Sequence, residues 1–576
     1  MEMTAEAAAA LRVGEPARAR AVTLEALGEP NLWALGGALA LGCLMIAGFL
    51  VLVFWNGVVT FWPKPIAVVA LVDGKRIAGE PTREETYRLA PDMLAKLPPA
   101  DRTRIAGDSG FEARTLYRTG NYDLYGDDFR WVPDHEAKAV SYPADMVLFE
   151  RLEWGPFIGA IKALVLDGQK RDRAALTAKE IDAAHDAARA RWHKIRGIER
   201  DQIGAVNHAL EKERLAVRRV ALGDGEGGPA HAAAQERFKL REAELQRRYA
   251  ALAAEANALK DRDGRDRALL ADIDGREKEI PLSALVRFYP TNGLGLAEKL
   301  GVYLSRWREF LVDEPREANT EGGIMPAIFG TFALTVLMVV AVAPFGVITA
   351  LYLREYARQG RIVAAVRISV NNLAGVPSIV YGVFGLGFFA YFLGGTIDQL
   401  FFPERLPSPT FGTGGLLWSS LTLALLTVPV VIVATEEALA AVPRSMREGS
   451  LACGASKWQT IQRIVLPRAM PGIMTGIILA MARGAGEVAP LMLVGVVKLA
   501  PELPIDGYFP FVHLERSFMH LGFHIYDVGF QSRNSEAGKP MVFVTTLLLI
   551  ALIFVMNIGA IAIRNRLKRK FAGSQF

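Results

Sequence analysis

Cysteine is almost absent. The 576 residues hold two, Cys43 and Cys453. Cys43 falls in an apolar run and Cys453 in a basic segment, so no disulfide framework can brace an extracellular scaffold. No G-x-x-x-x-G-K-[ST] occurs anywhere in the chain, which leaves no phosphate-cradling loop and excludes ATP hydrolysis by this polypeptide alone. His520 and His524 are spaced i, i+4, but no third ligand accompanies them, which argues against a metal site. The expectation for that segment is an interfacial amphipathic helix.

What the chain has in abundance is apolar sequence. Hydrophobic residues make up 51%, mean hydropathy is +0.21, and the apolar residues are clustered. Uncharged runs cover 30–63, 324–353, 368–397, 406–435 and 540–563, and a sixth, 469–497, is interrupted only by Arg483 and Glu487. Each is long enough to cross a hydrocarbon core, which takes about 20 helical residues. The expectation is an α-helical polytopic membrane protein with six transmembrane helices, since a helical bundle satisfies every backbone polar group internally. The first run is an anchor rather than a cleaved signal. Its apolar core far exceeds the ~7–15 residues of a signal peptide, and no small-x-small site follows Trp62-Pro63.

Lys and Arg in the short connections set the orientation. One side carries Arg12, Arg18 and Arg20 in the arm 1–29; Arg354, Arg358, Arg361 and Arg367; Arg444, Arg447, Lys457, Arg463 and Arg468; and Arg564, Arg566, Lys568, Arg569 and Lys570. The other carries Arg405, Lys498, Arg516, Arg533 and Lys539. Both termini are therefore expected in the cytoplasm, with a basic tail at 564–576. The sequence pI near 9.0 reflects this topology and gives no reason to expect nucleic acid.

Residues 64–322 form a long insert that six helices would place outside the cytoplasm. Its first part, 64–167, reads as β-rich, with two strands about the Asp73-Gly74 turn. Residues 177–276 carry sparse apolar positions (Leu210, Leu215, Val217, then Phe238, Leu245, Tyr249, Leu252, Leu259) on either side of GDGEGGP, which predicts an antiparallel helical hairpin. A strand at 280–290 and an amphipathic helix at about 295–312 then lead to the membrane core, 323–563. The hairpin is either a solvated spacer or a docking arm for another subunit.

The segment 447–472 carries the most specific pattern. Gly454 suits a left-handed helix stop, Ser456 with Gln459 fits a capping box, and Pro467 is expected to end the short helix that follows. Trp458, Ile461, Ile464 and Val465 would give that helix an apolar stripe suited to a partner's groove.

The spacing Glu448-Gly449-Ser450, three residues, Gly454, nine residues, Ile464-Val465-Leu466-Pro467 resembles the "EAA" signature of type I ABC importer permeases. Gly449-Ser450 stand where the family has two alanines, and they are poorer helix formers. In that family the loop 436–468 would couple to the ATPase, with Glu448, Gly454, Trp458, Ile464, Leu466 and Pro467 at the contact. Asn371-Asn372-Leu373-Ala374-Gly375-Val376-Pro377-Ser378, Thr435-Glu436-Glu437-Ala438, Val442-Pro443 and Arg483-Gly484-Ala485-Gly486-Glu487-Val488-Ala489-Pro490 further resemble the PstA type of phosphate-importer permease, over about 324–570. The resemblance implies two permease chains (this one and a PstC relative), two copies of a PstB ATPase, and an external phosphate-binding protein, PstS. ATP and Mg would be bound by the partner ATPase, and no cofactor by this chain. A permease for molybdate or sulfate, and a membrane-anchored signalling or scaffold protein using 64–322, are the alternatives.

A charge at mid-bilayer costs at least about 2.5 kcal/mol, so Arg483 and Glu487 should face a protein interior or a polar path. Four residues apart, they can pair. They either lock the fifth helix to a neighbour or handle an anionic substrate. Asn371, Asn372 and Ser378 are candidates for lining the same path or for bonding neighbouring helices. Pro377 and Pro429 are expected to kink helices three and four.

Overall fold

The computed structural model describes residues 30–532 and 535–572; the expected arm 1–29, Arg533 and the last four residues lie outside them. Among the described residues six helices are long and apolar enough to cross a membrane: Trp33–Val59, Met325–Tyr356, Ser378–Phe401, Leu416–Ala440, Lys457–Ala485 and Ser535–Arg569.

The second, fourth and fifth spans form the packed centre. Leu334, Met338, Val342, Leu423, Val431 and Ala480 are all fully buried there. Spans four and five approach through small residues. A Cβ on Gly472 would stand 2.6 Å from that of Ala438, and one on Gly476 would collide with Ala434. A small residue on each turn of both helices is what lets two backbones touch where lipid offers no hydrophobic drive. The first span stands apart. Val53 and Gly57 are buried, one turn apart, against the sixth span, while Trp55, Phe54 and most of the rest face outward.

Several boundaries differ from the sequence expectation, each for a local reason. The fifth span does not centre on Arg483. It runs from Lys457 to Ala485, through π-helical turns at Ile461–Val465, so the helix begins inside the expected loop. Pro467 does not end a helix. It sits at the start of the segment Leu466–Ala485, directly after the π turns, where the wide turn leaves no i→i−4 bond for proline to remove. The third span begins at Ser378, because Pro377 caps it and the chain breaks after a separate helix, Arg361–Leu373. Asn371 and Asn372 therefore belong to that earlier helix. Pro429 lies inside a continuous helix, Leu416–Ala440.

The inserted domain holds two large antiparallel sheets and a short two-stranded pair, Pro315–Arg316 with Glu321–Gly322. The strands are β1 (Ala67–Leu71), β2 (Arg76–Arg88), β3 (Phe111–Arg118), β4 (Phe129–Pro133), β5 (Ala137–Ser141), β6 (Val147–Arg151), β7 (Phe157–Leu166), β8 (Gln169–Asp172), β9 (Arg267–Ala271), β10 (Glu277–Pro281) and β11 (Leu285–Tyr289). The first sheet has the order β4-β3-β2-β1-β5; the second runs β10-β9-β7-β6-β11, with β8 beside β7. Gly74, at φ +84°, makes the turn between β1 and β2. Ile66, Val68, Met146, Leu148, Ile158 and Tyr289 pack in one core between the sheets.

Helices Ala178–Arg196 and Ile203–Asp224, joined by a π-helical turn, and the returning helix Pro229–Asp263 form the long hairpin between β8 and β9. Thr177 and Glu180 close a capping box at its start. Its core is thin: Val206, Ala234, Leu245 and Ala256 are buried, while Tyr249 is exposed. The hairpin is nevertheless not a free spacer. Arg219 donates through Nε to the buried Glu404 at 3.1 Å, and His208 stacks on Tyr508 with ring centroids 4.3 Å apart. It is seated on two connections of its own chain.

Helix Leu296–Val312 fastens the inserted domain to the first span. Tyr303 donates to the carbonyl of Val58 at 3.0 Å and Arg306 to that of Phe61 at 3.1 Å, while Phe61 packs against Trp307 and Phe310. Beneath it lies a buried ionic knot. Glu150 accepts from Arg306 Nε at 2.8 Å and Arg287 at 2.6 Å; Glu309 accepts from Arg287 at 2.7 Å and Arg316 at 2.9 Å. Burial alone would raise the Glu150 carboxyl, but the charges of Arg306, Arg287 and Arg316 outweigh it and hold it down at about 2.

Candidate functional site

Two groups of residues carry the chemistry, at opposite ends of the fifth span. The first is the loop 441–465. Helix Arg444–Ala452 stops at Gly454, whose φ of +85° only glycine adopts without strain. Ser456 then caps the next helix through its capping box with Gln459. Ser450 and Thr460 hydroxyls meet at 2.9 Å and close the turn.

This turn is bolted to the end of the second span. Arg447 donates to Glu355 at 2.9 Å and to the carbonyls of Leu439 at 2.8 Å and Val442 at 2.6 Å. The Lys457 ammonium stands 4.8 Å over the Tyr356 ring. Of the expected apolar stripe, Ile461 and Val465 turn inward, Ile464 is half-buried, and Trp458 is 54% exposed. Leu451 is 49% exposed. Glu448 and Gly454 also face outward, whereas Leu466 and Pro467 are half-buried. The arrangement offers a partner an apolar pair, Leu451 and Trp458, on a rigid support.

The second group lies at the far end of the same helix. Arg483 occupies the last helical turn, and Glu487 lies beyond the helix end, with their nearest atoms, Nε and Oε1, 3.7 Å apart. The pair is loose: the distance exceeds a hydrogen bond, and the Arg483 side chain is 39% exposed. The guanidinium is thus directed to an open face rather than locked into a neighbour. Gly382 of the third span lets the turn after Glu487 come close; a Cβ there would be 2.7 Å from the Cα of Pro490. Ser378 begins that third span, half-buried, and Tyr381 donates to the carbonyl of Leu373 at 2.6 Å. Asn371 and Asn372 are exposed on the preceding helix. Among the described residues no hydrogen bond joins Asn371, Asn372 or Ser378 to Arg483 or Glu487.

Other polar pairs escaped the sequence. Arg367 meets Glu436 at 3.2 Å, linking the helix Arg361–Leu373 to the fourth span. Asp527, 1% exposed, accepts from Asn319 at 3.2 Å and pairs with Lys498 at 3.1 Å. Each joins residues far apart in the chain, where no periodic signal points from one to the other. His520 and His524 are buried, not interfacial: His520 Nδ1 accepts from the Gly522 amide at 3.1 Å, and His524 lies 3.4 Å from the Thr545 hydroxyl. No group of three metal-ligating side chains occurs among the described residues.

Residues 342–569 match the family model described as binding-protein-dependent transport system inner membrane component. The chain is 36% identical over 204 residues to the probable ABC transporter permease protein YqgH of Bacillus subtilis, covering 34% of this chain and 62% of that one. It is 42% identical over 175 residues to the phosphate transport system permease protein PstA 1 of Mycobacterium tuberculosis, covering 30% of this chain and 51% of that one. To the probable phosphate transport system permease protein PstA of Methanocaldococcus jannaschii it is 34% identical over 191 residues, covering 32% and 60%. The chain thus spans between half and two thirds of the length of these relatives.

Proposed function

We propose that this chain, whose residues 342–569 match the model of the binding-protein-dependent transport system inner membrane components, is a membrane-spanning subunit of an ATP-driven phosphate importer. The family is one of membrane components, and the chain is not itself the ATPase. The substrate reading rests on the relatives named as phosphate permeases and on the open guanidinium of Arg483. Inorganic phosphate carries one to two negative charges near neutral pH, and a guanidinium presents paired donors to its oxygens.

The observation that carries the reading is the loop 441–465. It presents Leu451 and Trp458 outward while Arg447 ties it to Glu355 at 2.9 Å. In this reading the two apolar side chains enter a groove of a PstB-type ATPase, which binds ATP and Mg. Because the helix from Lys457 runs unbroken to Ala485, a displacement of the loop reaches Arg483 through one rigid element. Glu487, 3.7 Å away, gives the arginine a partner when the anion leaves. A second permease of the PstC type completes the path, and a PstS-type binding protein delivers phosphate from outside. The basic residues of 354–367, 436–468 and 564–576 support a cytoplasmic position for those segments and, with it, an inserted domain on the outer face of the inner membrane.

The test is phosphate uptake by vesicles holding the chain with its partners. Arg483→Gln is expected to abolish uptake while the complex still assembles. Normal uptake by that variant overturns the role of Arg483. Uptake of molybdate or sulfate in preference to phosphate by the unaltered complex overturns the substrate.

A further inference from the structure

The cavity that the transport reading leaves unused lies at the seam between the first span, the start of the sixth, and the inserted domain. It encloses about 600 Å³, within the range of pockets that bury small ligands, about 300–1,000 Å³. Its two walls differ in character. Trp55 and Val59 from the first span and Met541 and Phe543 from the sixth make one side; Glu80 and Arg118 of the inserted domain stand on the other.

Most charges around it are already satisfied by one another, since Arg287, Arg306 and Arg316 are held by Glu150 and Glu309. Three groups are left over. Glu80 is 9% exposed, and its carboxylate makes no direct hydrogen bond or ion pair among the described residues; Arg118, opposite it in the sheet, and Arg306 act on it only at longer range. Lys64, half-buried in the irregular stretch between the first span and β1, has no described partner either. Arg118 donates through Nη2 to Glu321 at 2.6 Å, but its Nε is buried without an acceptor. A buried charge without a partner is strongly destabilising. The complement of these groups is one ammonium, for Glu80, and one singly charged phosphate diester, for Lys64 and the Arg118 N–H.

We infer that this cavity holds the headgroup of a zwitterionic aminophospholipid, phosphatidylethanolamine in chemistry. Its ammonium donates to Glu80, its phosphate accepts from Lys64 and Arg118, and its acyl chains run past Trp55, Val59, Met541 and Phe543. A quaternary choline ammonium has no N–H to donate to Glu80, and an anionic glycerol headgroup leaves that carboxylate unpaired. The depth is suitable, because Trp55 and Trp62 bracket the end of the first span, where indoles mark the membrane interface. The site is separate from Arg483 and does not depend on the substrate.

The test is native mass spectrometry of the full chain, purified with its partners, stripped of lipid, and incubated with phosphatidylethanolamine, phosphatidylcholine or phosphatidylglycerol. The expected result is one phosphatidylethanolamine retained with a preference on the order of tenfold over the other two, the factor that a charge-assisted hydrogen bond provides. Glu80→Gln brings it down to the phosphatidylcholine level. Lys64→Gln weakens both. Equal retention of all three lipids by the unaltered protein overturns the proposal, as does a preference that survives both substitutions. Should the variants fail to melt cooperatively, competition on the unaltered protein decides. Displacement of the lipid by soluble phosphoethanolamine makes the ligand a free zwitterion and overturns the lipid; retention against it supports the lipid.

Discussion

Arg447 reaches from the loop helix to Glu355 at the end of the second span, a guanidinium–carboxylate contact of 2.9 Å between residues 92 positions apart. The same guanidinium also satisfies the carbonyl of Leu439, in the last turn of the fourth span, and that of Val442 just beyond it. One side chain thus joins three elements at the base of the bundle.

In the proposed transporter, Arg447→Ala should therefore separate assembly from stimulation of the ATPase. The apolar pair Leu451 and Trp458 stays available to the partner, so the complex forms. Its support is lost, so phosphate-stimulated ATPase activity falls by about tenfold or more, the scale of a partly buried charge-assisted bond. Assembly measured by size-exclusion chromatography alongside ATPase assays checks this. Unchanged stimulation would show that the ion pair is not part of the coupling.

Trp458→Ala tests the other half of that surface. It removes a large exposed aromatic, 54% exposed in the chain alone, and such anchors dominate interface energetics. The expected result is loss of ATPase copurification with the fold of the isolated chain intact by circular dichroism. Retained ATPase would direct attention to Leu451 and Glu448.

Much of this loop was legible in the sequence. Gly454 and Ser456 are punctuation with a local physical cause, a left-handed residue and a side-chain cap, and both act where the spacing indicates. What could not be read was where helices continue. Pro467 looked like a stop because proline usually removes a backbone bond. The π turns at Ile461–Val465 leave no such bond to remove, and nothing in the residue types signals a π turn. Likewise Arg483 looked central because the apolar run continues to Val497. The backbone instead leaves the helix at Gly486, and Leu491 and Val494, in a separate short turn of helix, and Val496 beyond it remain buried as packing. Apolar length measures burial, and here burial outlasts the helix. Arg447–Glu355 and Arg367–Glu436 were illegible for a further reason: pairing across the bundle leaves no period in the sequence.

Acid should weaken the inserted domain through Glu150. Its carboxyl is held at about 2 in the folded chain against an ordinary value of 4.5. A depressed carboxylate contributes stability that is present above the unfolded value and is lost as pH falls through the folded one. Thermal melting of the full chain should therefore decline between about pH 4.5 and 2. Glu150→Gln removes this contribution at neutral pH and leaves three arginines short of a counter-charge, a loss on the order of 3–5 kcal/mol. A melting temperature at pH 7 within error of the unaltered protein would refute the assignment.

The seat of the hairpin can be probed by hydrogen exchange. Arg219→Ala leaves Glu404, 2% exposed, without its cation, and Tyr508→Ala removes the ring beneath His208. The double variant should exchange faster by several-fold in Ile203–Asp224 and in 403–405, with the strands β6 and β7 unaffected. Unaltered exchange would mean that the helix is held by its own packing alone.

The contact between the first and sixth spans has a consequence in time. Its buried edge, Val53 and Gly57, faces the sixth span, and Thr60 donates to the carbonyl of Pro540 across 480 residues of chain. A ribosome adding about 5–20 residues per second needs roughly half a minute to a minute and a half to span that gap. The first span must therefore wait in the bilayer for this partner until the sixth has been made. The seam where the two finally meet is the youngest part of the molecule each time it is built.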